Sequence, residues 1–212
     1  MTKQEYLQSL YTEVKYRSLR NFNLTSREII DLCSKYNIKI KIAKVLDKTR
    51  EKNLLMFSHF RLNKICINEY FLNMFSKMKD KKFFGYYTSE EFFTYCLFHE
   101  IAHIINKENK IIYDIHGKKF FEIFKSIYTN IDPKEITFYT RECDFFKLLY
   151  SNFYNTLIQK HINIIDFRFS RDVFDYKYRL HYKEKILREF TYEEIDNLKQ
   201  FKKIIKEVID KL

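Results

Sequence analysis

The sequence predicts an α+β fold: a small antiparallel or mixed sheet packed on one buried helix, further helices around it, and a basic hairpin and helix at the C-terminus. Three observations predict it. Apolar residues recur at helical spacing, with start and stop signals, over most of the chain. Stretches within 38–67 and 166–183 change to the period of two that marks strands. The segment Phe92 to His103, FFTYCLFHEIAH, is apolar on nearly every side when wound as a helix, which places that helix inside a core.

The elements follow in order. Residues 2–20 carry Leu7, Leu10, Tyr11 and Val14 on one helical face. Thr25 with Glu28 offers a capping box for a helix reaching about Tyr36. Ile38, Ile40 and Ile42 then alternate with Lys39, Lys41 and Ala43 as a strand. Asp47–Lys52 is a polar turn, Leu54–Leu62 and Lys64–Ile67 suit two more strands, and Asn68–Met78 a short helix before the charge run Lys79–Lys82. Thr88 with Glu91 repeats the capping signature and opens the motif helix at Ser89, to end near Asn106. His116-Gly117 leads into a helix over Lys118–Tyr128. Asp132, Pro133 and Glu135 combine N-cap, first-turn proline and capping glutamate, announcing a long helix to about His161. Residues 166–183 then place Tyr176, Tyr178, Leu180 and Tyr182 on one face, and Lys177, Arg179, His181 and Lys183 on the other. Thr191 and Glu194 cap one terminal helix bearing Ile195, Leu198, Phe201, Ile205, Val208 and Leu212.

Composition bounds the function. A chain of 212 residues is one domain, or one domain with an appended module, and we divide it at residue 163, into 1–163 and 164–212. No apolar run approaches the roughly eighteen residues needed to cross a membrane, and the N-terminus has no signal-peptide core, so a cytoplasmic protein is expected. Cys33, Cys66, Cys96 and Cys143 are far apart, with no Cys-x-x-Cys pair, which argues against a zinc ribbon or a disulfide framework and for buried thiols. The net charge of +11 invites a polyanion. Two Gly, one Pro and an abundance of Lys, Ile, Asn, Phe and Tyr are also what an AT-rich genome produces, so lysine richness is a weaker sign of a partner here.

The chemistry lies in His99-Glu100-Ile101-Ala102-His103. Residues four apart on a helix lie about 40° apart, so His99 and His103 point the same way and can hold one zinc ion, with Glu100 beside them as general base toward a water. A catalytic zinc takes a third protein ligand and leaves one position open. The short-spaced metzincin pattern is excluded, because both Asn106 and Asn109 stand where Gly and His are needed. His116, Glu122, Glu108 and Asp114 remain. Glu122 fits a gluzincin-like spacing; His116 and Glu122 are about 9 Å apart along a helix and on different faces, so one can ligate but hardly both.

HEIAH, a loop, and then HGKKF at 116–120 resemble the SprT-like (Spartan-type) zinc metalloproteases. The similarity extends, more loosely, over residues 36–130, including ICINEYFLNMF before the motif helix. The resemblance implies a zincin-like core, one catalytic Zn2+ held by His99, His103 and His116, Glu100 as base, Gly117 allowing close backbone approach, and Phe120 packed behind the site. It implies hydrolysis of peptide bonds in proteins associated with DNA. The cysteine ribbon that many relatives carry after the catalytic part is missing here. Tyr113 is the candidate for stabilising the oxyanion, a packed or surface tyrosine being the plainer alternative. The edge strand that would bind extended substrate is sought in Leu54–Ile67. Residues 164–183 interleave aromatic and basic side chains, which suggests salt-sensitive contacts from Lys177, Arg179 and Lys183 to DNA, single-stranded by preference. Two other functions stay open: a regulatory zinc peptidase of the ImmA/IrrE-like type, and a non-catalytic basic nucleic-acid-binding protein.

Overall fold

A computed structural model of the chain describes residues 2, 24, 26–43, 55–78, 81–83, 87–106, 116–172 and 177–212. The helix expected over 2–20, the turn Asp47–Lys52, Thr25, Tyr113 and Tyr176 lie outside them. The fold is mixed α+β, with two three-stranded sheets among the described residues. The chain packs as two compact units. The first takes residues up to Phe83, Tyr87–Glu108 and Glu122–Asn130; the second takes Phe84–Tyr86, Asn109–Phe121 and Ile131–Leu212.

In the first unit, helix α1 (Arg27–Lys35) starts at Ser26, whose hydroxyl accepts from the Ile29 N–H at 3.3 Å. Past the C-cap Tyr36 the chain turns at Asn37, whose φ of 52° is a left-handed conformation that asparagine tolerates. The chain then enters β1 (Lys39–Ala43), which pairs in parallel with β3 (Lys64–Asn68). Strand β2 (Met56–His59) lies antiparallel on the other side of β3, giving the order β1-β3-β2. The central position of β3 explains its composition: Ile65, Cys66 and Ile67 are all buried, where a half-exposed strand would alternate. The strand expected over 54–62 is shorter, because Phe60–Leu62 form a 3₁₀ turn and Asn63, at φ 47°, turns the chain back into β3.

Helix α2 (Glu69–Ser76) follows directly, with the Asn68 side chain accepting from the Tyr70 N–H at 3.1 Å. Helix α3 (Ser89–Ile105) carries the motif and has the expected box: Thr88 Oγ1 accepts from Glu91 N–H at 3.2 Å, and the Glu91 carboxylate from Thr88 N–H at 2.7 Å. It packs on β2 and β3. Its buried face is aromatic. Tyr95 stacks on Tyr87 and meets Phe124 edge-on, and the Tyr87 hydroxyl donates to the Asn130 carbonyl at 3.0 Å.

Helix α4 (Lys118–Ile127) gives its first residues to the second unit and the remainder to the first. Helix α5 (Pro133–Leu148) starts as the sequence indicates, with Asp132 accepting from the Lys134 N–H at 2.9 Å. It runs on through a π turn (Leu149–Phe153) into α6 (Tyr154–Gln159). That irregularity has a packing reason. Phe138, Phe145 and Leu149 share one stripe, and Leu157 would stand about 80° off it in a straight helix. The looser π winding turns less per residue and brings Leu157 back, and all four are buried in one core.

That core also takes Phe167, Phe169, Tyr178, Leu180 and Phe190 from an antiparallel sheet of β4 (Phe167–Arg171), β5 (Tyr178–Tyr182) and β6 (Lys185–Phe190). Helices before residue 163 and strands after it bury side chains in the same core. The expected hairpin gains a third strand, β6. Its turn, Lys183-Glu184, has no Gly to announce it, yet Lys183 takes φ 54°. The single terminal helix divides into α7 (Tyr192–Asp196) and α8 (Leu198–Asp210). Asn197 (φ −80°, ψ 100°) breaks the first and caps the second by accepting from the Gln200 N–H at 3.1 Å.

One ion pair ties strand to helix. Arg171 of β4 donates to Glu135 of α5 at 2.5 Å, with the side chains 10% and 2% exposed. Its guanidinium also lies over the Phe138 and Tyr139 rings at 4.6 and 4.8 Å. Removing one partner of such a buried pair strands the other charge. Glu135→Ala should therefore lower stability by about 3–5 kcal/mol in urea unfolding, with a smaller loss for Glu135→Gln.

Candidate metal centre

Helix α3 presents His99 and His103 one turn apart, as the spacing predicts. The rings meet edge-on at a centroid distance of 4.7 Å, and their Nε2 atoms stand 3.0 Å apart. His99 is buried, held by Tyr95 one turn before it and by Phe124, whose ring stands at 87° to the imidazole with 5.5 Å between centroids. His103 is half-buried.

His116 lies just ahead of α4, followed by the buried Gly117. Phe120 meets its ring edge-on at 5.1 Å, and Tyr139 of α5 lies against it at 4.3 Å. Its Nδ1 is 2.9 Å from the Glu142 carboxylate. Phe120 and Phe124, four apart on α4, thus press on His116 and His99 respectively. His99, His103 and His116 each offer one ring nitrogen, and these atoms lie within 4.8 Å of one another.

The donor set fits a metal ion. Nitrogens bound at about 2.0–2.1 Å around a tetrahedral centre stand about 3.3–3.4 Å apart, close to the spacing of the first pair. Two Nε2 atoms at 3.0 Å must otherwise share one proton. Imidazole sets of this kind suit zinc and other late divalent metals. Glu122, the gluzincin-like alternative, is exposed on α4 and outside the cluster. Glu108 and Asp114 fall outside the described residues.

Glu100 keeps some exposure as a residue, but its carboxyl is enclosed, and that burial pushes its pKa up to about 7 against the opposing effect of hydrogen bonds from the Ser58 side chain and backbone. A carboxylate held near neutrality is suited to take up a proton and return it. Ser58, Tyr139 and Glu142 carry no sequence motif and were not expected. Only the spacing of Glu135, Tyr139 and Glu142, four then three apart, marks one face of α5 in advance.

The other predicted residues are placed as follows. Lys177 is exposed before β5, and Lys183 is exposed in the β5–β6 turn over the Tyr182 ring. Arg179 pairs with Glu189 at 2.7 Å and Asp172 at 3.6 Å, and Tyr178 enters the core. His181 bonds Ser170 at 2.9 Å, His161 is exposed at a helix end, and His59 packs edge-on against Phe57. Cys33, Cys66 and Cys143 are buried, Cys96 is half-buried, and none forms a disulfide. No described helix is long and apolar enough to cross a membrane.

No family model, curated protein or solved structure matches this chain.

The raised pKa of Glu100 has a stability consequence in metal-free protein. Between about 4.5 and about 7 the unfolded chain has released this proton while the folded chain keeps it, so stability falls as pH rises through that window and levels off above it. Glu100→Gln removes the ionisation. Metal-free Glu100→Gln should be more stable than wild type at pH 8, by on the order of 3 kcal/mol, and most of the gain should be gone by pH 5. Urea unfolding in the presence of chelator at both pH values checks this.

Proposed function

We propose that this protein is a zinc-dependent peptide hydrolase, with His99, His103 and His116 as ligands of one ion and Glu100 as general base. The observation that carries the reading is the convergence of three imidazole nitrogens beside an enclosed carboxylate of raised pKa. An ion held by these three residues would supply a water activated near neutral pH and would polarise the scissile carbonyl. Glu100 accepts the proton of the attacking water and returns it to the leaving amine. Ser58 holds the Glu100 carboxylate through its hydroxyl and its backbone N–H.

Substrate placement is supported by the sheet. Among the described strands β2 is at an edge, and it carries Ser58 against Glu100. An extended peptide adding to that edge would pass alongside the base, and backbone hydrogen bonds would hold it largely independently of sequence. The SprT-like resemblance of HEIAH and HGKKF suggests proteins on DNA as the substrate class. Two outcomes decide the chemistry. Purified wild type should contain one zinc per chain by elemental analysis, with the metal lost in His116→Ala and kept in Glu122→Ala. Glu100→Gln should keep zinc while peptide hydrolysis, assayed with and without DNA, falls by at least about 10²-fold. Stoichiometric zinc in His116→Ala would remove His116 from the ligand set.

The positive charge that would draw nucleic acid is uneven along the chain. Residues 1–130 carry 23 basic and 14 acidic side chains, and residues 131–212 carry 16 and 14. Arg179 is already matched by two carboxylates. We therefore assign contact with a phosphate backbone to the part before residue 131 rather than to β5. Lys177→Glu/Arg179→Glu should leave DNA affinity and its salt dependence close to wild type in a titration across several salt concentrations.

A further inference from the structure

Resting on the three-histidine reading above, the geometry points to Glu142 as the positioning residue that makes His116 a ligand, by fixing its tautomer and orientation through Nδ1. The Glu142 carboxylate is an acceptor only, so at 2.9 Å the hydrogen between them belongs to His116 Nδ1. A neutral imidazole protonated on Nδ1 has a bare Nε2, and that is the nitrogen left to bind a metal. The ring is also held in its plane. Tyr139 lies against it at 4.3 Å and Phe120 meets it edge-on at 5.1 Å, so rotation away from Glu142 would break both contacts.

This support is itself anchored. The Tyr139 hydroxyl accepts from Arg171 Nη2 at 3.1 Å, and Arg171 is paired with the buried Glu135. Glu135, Tyr139 and Glu142 rise along one side of α5, so the helix that carries the outer carboxylate also carries its brace. Three neutral imidazoles leave a divalent ion with its full charge. A carboxylate hydrogen-bonded behind one ligand makes that ligand more basic and offsets part of the charge without occupying the open coordination position. His99 and His103 are set one turn apart by their places on α3.

The test uses full-length Glu142→Ala, Glu142→Gln and the control Asp144→Ala, whose carboxylate pairs with Arg141 on the same helix. Zinc affinity is measured by competition with a chelator. The His116 tautomer is read from long-range ¹H–¹⁵N spectra of metal-free protein, its signals assigned by their loss in His116→Ala. The expected result is Nδ1–H in wild type, a zinc affinity weaker by about 10–100-fold in Glu142→Ala, a smaller loss in Glu142→Gln, which still accepts the hydrogen bond, and no loss in Asp144→Ala. Glu142→Gln is nearly isosteric and keeps the experiment decisive should the alanine variant fold poorly. Zinc bound by wild type with unchanged affinity in both Glu142 variants overturns this role and leaves the three-histidine reading standing. An Nε2–H tautomer in metal-free wild type overturns it without reference to metal. A wild type that binds no zinc overturns the three-histidine reading itself.

Discussion

Everything in this protein's candidate chemistry depends on the crowding of imidazole nitrogens in a site walled by aromatic rings. Lone pairs on two Nε2 atoms 3.0 Å apart repel unless a proton or a cation lies between them. Two rings can share one proton, and with a third nitrogen within 4.8 Å the three rings can also share one cation. A divalent metal meets that need, and burying polar groups beside Phe124, Tyr95 and Phe120 without such compensation would be costly.

The aromatic richness of the chain becomes intelligible from this requirement. Flat, stiff rings hold an imidazole by edge and face contacts, without competing for its nitrogens. Phe124 does this for His99 and Phe120 for His116, from successive turns of α4. Tyr139 adds a ring whose hydroxyl is tied to the buried Arg171–Glu135 pair. Side chains with more rotatable bonds would leave the ligands freer, and a loosely held ligand binds metal less tightly. Where the Phe and Tyr side chains sit is a matter of packing.

The motif helix was legible to the residue, because a capping box at Thr88 and Glu91 and an apolar sheath are both local signals. The start of α5 at Asp132 was legible for the same reason. What the sequence hid is non-local or lacks the usual punctuation. The π turn at Leu149–Phe153 restores a packing stripe that no single residue marks. The β5–β6 turn uses Lys183 where glycine or asparagine would have signalled it. Asn197 ends one helix and starts another within a run that reads as continuous. At the site, His99, Glu100 and His103 follow from spacing, whereas the sequence offers His116 as one of several candidates, and only the fold puts its nitrogen within 4.8 Å of theirs. Glu142 and Ser58 could not be read at all, since their roles come from strands and helices distant in sequence.

X-ray absorption at the zinc edge on zinc-loaded protein tests the three-histidine centre most directly. Three imidazole nitrogens at about 2.0–2.1 Å with one further light-atom ligand are expected. Sulfur at about 2.3 Å, which would bring in a cysteine such as Cys96 three residues before His99, or a shell with only two imidazoles, would contradict it.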